Sequence, residues 1–278
     1  MVLSKLSPSV NEIESANALL AEVKNWQSFI DRSVGSYLAP IIHTNLSSCS
    51  AVIPQAILTA LSNSYNQVLV RNIRLYNSFK TVLLKLNEAK IDCIPLKGIY
   101  LAEAVYTDLG LRHLSDIDLL VRSKDADKVC ELMRSAGWTV KKAEPRSDFE
   151  NEQFSPAHPF TFLKNGVTIE LHTHLYNRNQ RATISESELW KNVRTEQLIG
   201  GTIHQFETEM LLQHLCLHLY KHLVGSECKL VNFCYIHQLI SQEKERLNWE
   251  KFKQLCIKYE CLDEVAPIVF LCQKYWKS

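Results

Sequence analysis

The sequence predicts an α+β fold in which a small mixed sheet lies between two helical segments of the chain. Glycine is scarce, with 8 residues in 278, and apolar residues recur over long stretches at the three- and four-residue spacing of helices. From residue 91 short apolar runs and turns replace this pattern, which returns after residue 200. We therefore predict an N-terminal helical module (1–90), an α/β core (91–200) and a C-terminal helical bundle (201–278).

The N-terminal module is predicted to contain two amphipathic helices, over about 11–32 and 54–89. Pro54 suits the first helical position of the second helix, where a missing N–H leaves no hydrogen bond unmade. Apolar residues recur through this helix at helical spacing, at Leu58, Leu61, Val68, Ile73, Leu83 and Leu86. Such a pattern is typical of a helix that buries one face.

The core is predicted to alternate strands, turns and helices. Strands are expected at 91–96, 117–121 and from 138, with helices at 99–106 and at about 125–136. Gly137 ends the second of these helices. Lys97 and Gly98 form the turn after the first strand.

A hairpin and four further helices complete the expected elements. Asn165 and Gly166 join strands at 160–163 and 167–171, because both residues suit the positive φ of a tight turn. Asn248 is a suitable N-cap for the third C-terminal helix. These helices are expected at 207–224, 230–243, 248–259 and 262–275.

Charge and cysteine content limit the classes of function. Thirty-one Lys and Arg against 30 Asp and Glu leave a net charge of +1, so no global field attracts a polyanion and a histone-like role is excluded. Nine cysteines form an odd set without a C-x-x-C motif, which indicates reduced thiols. Neither a signal-peptide pattern nor an apolar run of membrane-spanning length is present. We expect a soluble, cytoplasmic protein with no membrane partner.

Carboxylates are the strongest candidates for chemistry. Asp116 and Asp118 lie two residues apart on a predicted strand, so their side chains point to the same face. Glu170 ends a later strand and joins them if the two strands are neighbours. Two carboxylates on one face repel each other unless a cation lies between them, and Mg²⁺ takes such oxygen ligands together with substrate phosphates. The alternative is that both aspartates belong to a solvated strand edge.

Two basic residues near these carboxylates have two interpretations each. Lys97 precedes Gly98 at the turn, where it either contacts a phosphate or is an ordinary surface lysine. Arg112 either binds a phosphate or orients a catalytic carboxylate through its planar guanidinium, or it pairs as a loop residue with Asp108 or Asp116.

Histidines form two further groups. His172 and His174 share the strand face of Glu170, and a role for His172 in supporting the carboxylates by hydrogen bonding is favoured over a metal site, which two imidazoles do not complete. His214, His218 and His222 follow at four-residue intervals along one helix. The first and third are about 12 Å apart on a straight helix, so at most two of them can bind one ion.

Several motifs together resemble the uncharacterised bacterial nucleotidyltransferase-like family of the DNA polymerase beta-type nucleotidyltransferase superfamily. They are Leu96-Lys97-Gly98, Arg112, Asp116-Ile-Asp-Leu-Leu-Val121 and Glu170-Leu171-His172. The resemblance covers about 91–175 well and the helical tail more loosely.

The resemblance implies a role for each matching residue. Asp116 and Asp118 hold the catalytic Mg²⁺, for which Mn²⁺ can substitute. Glu170 is the third carboxylate, which either helps to bind a second metal or deprotonates the acceptor hydroxyl. Gly98 opens the triphosphate-binding turn. The superfamily usually has Gly-Ser or Gly-Gly there, so phosphate binding in this chain falls to backbone N–H groups and Lys97.

The resemblance also implies the reaction. An NMP passes from an NTP, ATP included, to a hydroxyl of an acceptor, and pyrophosphate is released. The family's helix corresponding to 207–224 also carries histidines, from which we infer that His218 and His222 face the nucleotide or the acceptor. The alternative is that these histidines form a polar helix edge.

The acceptor and the activity itself have alternatives. A small molecule, a protein and an RNA end such as that of tRNA all stay open as acceptors, and Lys141, Lys142 and Arg146 form a candidate RNA-binding patch. The main rival function is a catalytically silent module that binds a nucleotide or docks a partner. A metal-dependent phosphohydrolase needs more His and Asp ligands than these residues offer. The sequence leaves the oligomeric state open.

Overall fold

The protein is described by a computed structural model, which covers residues 2–142, 160–175, 184–225 and 228–276. Within these ranges the chain forms eleven α-helices and seven β-strands, so the predicted α+β class is confirmed. None of the described helices combines the length and the apolar character that crossing a membrane requires.

Four helices form the N-terminal part. They are α1 (Val10–Ala21), α2 (Trp26–Gly35), α3 (Ala39–Leu46) and α4 (Gln55–Glu88). The single helix predicted over 11–32 is therefore wrong: Asn25 accepts a hydrogen bond from the Ser28 N–H and starts a new helix. Helix α3 was not predicted, and Pro54 is the N-cap of α4 rather than its first helical residue.

A five-stranded sheet forms the centre of the molecule. Its strands are β1 (Cys93–Leu96), β2 (Ile117–Val121), β3 (Thr139–Lys142), β4 (Phe160–Lys164) and β5 (Val167–His172). The strand order is β1-β2-β5-β4-β3. Strands β2 and β5 are parallel and the other pairs are antiparallel, which confirms a mixed sheet.

The turns and helices of the core agree with the sequence pattern. Asn165 and Gly166 both have positive φ, 50° and 73°, as the predicted hairpin turn requires. Helices α5 (Gly98–Ala104) and α6 (Ala126–Ser135) follow β1 and β2. All five strands and both helices lie close to their predicted positions.

A second, two-stranded sheet was not predicted. Strands β6 (Val193–Leu198) and β7 (Gly201–Phe206) form an antiparallel hairpin, preceded by the short helix α7 (Glu186–Leu189). The predicted domain boundary between residues 200 and 201 falls in the turn of this hairpin, so one structural unit lies on both sides of it. Asn87 of α4 attaches the hairpin, because its side chain accepts from the Thr202 N–H and donates to the Thr202 carbonyl, both at 2.8 Å.

Four helices end the chain, close to the four predicted ones. They are α8 (Thr208–Val224), α9 (Leu230–Gln242), α10 (Trp249–Lys258) and α11 (Leu262–Trp276). Asn248 caps α10 as predicted, since its side chain accepts from the Lys251 N–H at 2.9 Å. Trp276 stacks on Phe233 and donates to Ser4, which joins the two ends of the chain.

Helix α4 also fixes the loop that leads into β2. Arg71 donates to the carbonyls of Leu114 at 2.6 Å and Ser115 at 2.7 Å. Asn72, fully buried, donates to the carbonyls of Leu109 and Arg112, both at 2.6 Å. The long N-terminal helix therefore positions the segment that carries Arg112 and the Asp-x-Asp motif.

Gly201→Ala is expected to lower the free energy of unfolding by about 1–3 kcal/mol, because a Cβ there overfills the contact with α4. That Cβ lies 2.7 Å from Leu83 Cγ and 3.0 Å from Asn87 Oδ1. Urea denaturation measures the change. Gly35→Ala is the matched control, since its added Cβ meets nothing within 4 Å. Equal stabilities of the two variants would contradict the prediction.

Candidate functional site

The central pair of parallel strands brings two carboxylates together. Asp118 of β2 and Glu170 of β5 are paired in register, so their side chains project from the same side of the sheet. His172, two residues beyond Glu170, shares that face. One ligand atom from each of these three side chains lies within 4.8 Å of the others. Among the described residues this is the one group of three or more His, Cys, Asp or Glu side chains close enough to hold a metal ion.

Asp118 is held by a cation and an imidazole. Lys97 Nζ lies 3.0 Å from its Oδ2, and His172 Nε2 lies 2.8 Å from its Oδ1. Burial raises the pKa of Asp118, but the Lys97 charge and the His172 hydrogen bond outweigh it and hold the pKa well below the usual range. The buried carboxylate is therefore ionised and fixed in orientation.

Asp116 lies just before β2 and outside this cluster. It is half-buried, and its Oδ1 accepts a hydrogen bond from the Ser115 hydroxyl at 2.8 Å. The cluster instead contains His172, which the sequence placed only in a supporting role. In the sequence, His172 is indicated as a member of this cluster by its position two residues after Glu170. The catalytic and metal-binding role of Asp116 stays a prediction.

The turn after β1 places Lys97 beside Asp118. Leu96 is paired with Asp118 across the antiparallel strands, so the next residue starts beside the carboxylate. Lys97 has φ 47°, in the left-handed region, and its side chain is only 17% exposed. The interpretation of Lys97 as an ordinary surface lysine is therefore wrong.

Gly98 leaves room for Arg112. A Cβ on Gly98 would lie 2.8 Å from Arg112 Nη1 and 2.8 Å from Leu114 Cδ2, closer than side chains pack. The glycine thus lets the guanidinium approach the backbone of the turn.

Arg112 is a buried cation without a carboxylate partner among the described residues. Its guanidinium carbon lies 3.9 Å from the centre of the Tyr235 ring, and its buried Nε has no hydrogen-bond acceptor in the described part of the chain. Asp108, one of its two predicted alternative partners, accepts instead from the Tyr65 hydroxyl and the Gly110 N–H. A buried guanidinium stacked on an aromatic ring and lacking a counter-ion is suited to an anionic ligand.

Two histidines of helix α8, His214 and His218, interact electrostatically with this site. The Nε2 atoms of His218 and His222 lie 3.3 Å apart, and the rings of His214 and His218 are 6.5 Å apart between centres. Burial, together with the positive charge of Lys97, lowers the pKa of His218 well below its usual range, while Asp118 acts in the opposite direction. The interactions of His214 and His218 with Lys97 and Asp118 indicate that these two histidines lie near that pair.

We expect His214 to lower the free energy of unfolding at acidic pH. Burial and then the charge of Lys97 lower its pKa from 6.5 to about 3, so the unfolded chain takes up a proton below pH 6.5 that the folded protein does not. Stability therefore falls as the pH drops. Between pH 7 and 5.5 this group accounts for a loss of about 1 kcal/mol. Urea denaturation at both pH values is expected to show a smaller loss for His214→Gln, and an unchanged loss would contradict the assignment.

Comparisons with known proteins place the chain among nucleotidyltransferases. Residues 22–277 match a family described as uncharacterised nucleotidyltransferases. No curated protein matches the chain by sequence.

Solved structures give more distant likenesses. The solution structure of the antibiotic-resistance factor ANT(2'')-Ia is similar with a TM-score of 0.47 and 10% identity, covering 68% of this chain and 92% of that one. The crystal structure of ANT(2'')-Ia with adenylyl-2''-tobramycin gives a TM-score of 0.45 and 10% identity, covering 66% and 96%. An antigenic nucleotidyltransferase-like protein from Paracoccidioides brasiliensis gives 0.39 and 15% identity, covering 69% and 91%.

Proposed function

Because the chain belongs to the uncharacterised nucleotidyltransferase family, we propose that it transfers an NMP from an NTP to an acceptor hydroxyl with release of pyrophosphate. The observation that carries this proposal is the juxtaposition of Asp118 and Glu170 on adjacent parallel strands. We also propose a cytoplasmic location, since all nine cysteines are free thiols as expected in a reducing compartment.

The donor chemistry of the site fits a hard divalent cation. Carboxylate oxygens of Asp118 and Glu170 are ligands that Mg²⁺ and Mn²⁺ accept, together with phosphate oxygens of a substrate. Asp116 is proposed as an additional ligand, following the Asp-x-Asp motif. When bound, the cation neutralises phosphate charge and lowers the pKa of an attacking hydroxyl.

The chain's own residues position the carboxylates. His172 contacts Asp118 Oδ1 at 2.8 Å and so orients the carboxylate. Lys97 Nζ, 3.0 Å from Oδ2, balances its negative charge. Both contacts hold Asp118 ionised, which a ligand for a cation requires.

The turn at Gly98 and the guanidinium of Arg112 are proposed to hold the triphosphate. Gly98 lets Arg112 Nη1 approach the backbone of the turn, and the guanidinium and backbone N–H groups are both donors for phosphate oxygens. Glu170, whose side chain is 30% exposed, is proposed to take the proton of the acceptor hydroxyl. The acceptor oxygen then bonds to the α-phosphorus while the bond to the bridging oxygen breaks and pyrophosphate leaves.

The acceptor is proposed to lie between the sheet and α8, with His218 and His222 as its proposed contacts. A small molecule, a protein hydroxyl and an RNA end such as that of tRNA are its three candidate classes. Lys141 of the predicted basic patch is exposed on β3, whereas Arg146 lies outside the described residues.

A silent nucleotide-binding module is the second candidate, and one observation favours it. Lys97 Nζ already neutralises Asp118 at 3.0 Å, and the turn has Lys97-Gly98-Ile99 without the usual hydroxyl. An ammonium that replaces the catalytic cation would preserve the cleft and abolish transfer. This candidate predicts nucleotide binding without release of pyrophosphate.

Label transfer from each α-labelled NTP tests the proposal. The full chain is incubated with Mg²⁺ and cell extract separated into small molecules, RNA and protein, and pyrophosphate is measured in parallel. Label in one fraction, matched by pyrophosphate and absent with Asp118→Asn, supports the enzyme and identifies the acceptor class. Nucleotide binding by calorimetry with no label and no pyrophosphate in any fraction favours the silent module.

A further inference from the structure

We propose that His218 and His222 form a second metal site, for a borderline divalent ion of the Zn²⁺ class, apart from the carboxylate cluster. Neither the family match nor the proposed transfer assigns a metal to these residues. The inference concerns an imidazole site on helix α8 and does not depend on the transferase activity.

The spacing of the two histidines suits bidentate coordination. They lie four residues apart in α8 (Thr208–Val224), so both rings project from one face of the helix. The same spacing lets the two histidines of a helical H-E-x-x-H motif bind one zinc ion. The backbone of α8 therefore already provides half of a tetrahedral site.

The distance between the ring nitrogens gives the tetrahedral angle. His218 Nε2 and His222 Nε2 are 3.3 Å apart. An ion with bonds of about 2.0–2.1 Å to both nitrogens would subtend an angle of about 104–111°, which matches the tetrahedral geometry of protein-bound zinc. No rotation of either ring is needed to reach this separation.

The donor type favours the same class of ion. Imidazole nitrogen prefers Zn²⁺ and its transition-metal neighbours, whereas Mg²⁺ prefers oxygen. The two groups of ligands in this protein are therefore chemically distinct.

The open side of the site is reachable from solvent. His222 is half-buried, and its neighbours Lys221 and Leu223 are exposed. Within the described residues, no further His, Cys, Asp or Glu completes a three-ligand group with the pair. In the proposed site, water or a donor atom of a bound substrate would complete the tetrahedron.

A hydrogen bond between the two imidazoles is the competing explanation. In that case one neutral ring donates from Nε2 and the other accepts, and the 3.3 Å contact needs no ion. The two explanations differ in whether the pair binds a metal in solution.

Titration of the metal-free full chain with Co²⁺ and Zn²⁺ tests the proposal, with excess Mg²⁺ present to compete at the carboxylates. We expect the visible absorption of tetrahedral Co²⁺, which Zn²⁺ then displaces. His218→Asn and His222→Asn are each expected to weaken Zn²⁺ binding by at least about 10–100-fold, the loss seen when even an outer-shell partner of a metal is removed.

Two variants distinguish this site from its neighbour. Glu170→Gln is expected to leave the His-dependent equivalent of Zn²⁺ bound, and His222→Cys is expected to keep it and to add a thiolate-to-cobalt absorption band. Absence of binding, wild-type Zn²⁺ affinity in either Asn variant, or loss of binding with Glu170→Gln would each overturn the proposal. Melting temperatures without metal establish that every variant is folded.

Discussion

Asp118→Asn is expected to lower nucleotidyl transfer by about 10²–10⁴-fold, which corresponds to the several kcal/mol that a metal-held phosphate oxygen contributes to the transition state. The amide keeps the size of the side chain and removes its charge. The carboxylate it replaces is buried and contacts both Lys97 and His172. Initial rates of pyrophosphate release with saturating Mg²⁺ measure the loss.

Matched acid-to-amide variants show whether the effect belongs to the site. Asp92→Asn is the control, because its side chain is 48% exposed and pairs with Arg122 and His204 at the other end of the sheet; we expect full activity. Glu170→Gln is expected to resemble Asp118→Asn. A loss of similar size with Asp116→Asn would support its predicted role as a ligand, although it lies outside the cluster. Transfer at an unreduced rate with Asp118→Asn would refute the carboxylate mechanism.

The elements that the sequence predicted correctly share a strong local signal. Strand β2 is a continuous apolar run around Asp118, and Asn165-Gly166 marks the hairpin that places Glu170 on the neighbouring strand. Strand β6, Val193–Leu198, consists mainly of polar residues, and only Leu198 is buried. The hairpin is attached through Thr202 of β7 to Asn87 of α4, more than 100 residues away, so no local pattern predicts it.

The candidate site, like the fold, depends on local sequence patterns and on contacts between distant elements. The register of two strands separated by about fifty residues decides that His172 joins Asp118, and register is set by the whole sheet. The burial of Arg112 on Tyr235 depends on how α9 packs against the loop before β2. Sequence spacing therefore identifies candidate residues, whereas partners from distant elements decide which of them share a site.

Lys97→Met is expected to lower the free energy of unfolding by about 3–5 kcal/mol in the absence of divalent cations, because it leaves a buried carboxylate without its partner charge. Lys97 and Asp118 have side chains only 17% and 10% exposed, so solvent compensates little of the loss. Urea denaturation at pH 7 measures it. Lys124→Met, at an exposed lysine, is the control and is expected to stay within about 0.5 kcal/mol of the wild type.

The response of the same variant to Mg²⁺ separates the two candidate functions. If Lys97 and a catalytic cation both balance Asp118, Mg²⁺ is expected to restore much of the stability lost in Lys97→Met and to stabilise the wild type less, because binding only to the folded state raises its stability. Lowering the pH is also expected to narrow the gap between variant and wild type, since protonation removes the unpaired charge of Asp118. A variant that Mg²⁺ does not stabilise would show that the carboxylates hold a lysine and no metal, as the silent module requires.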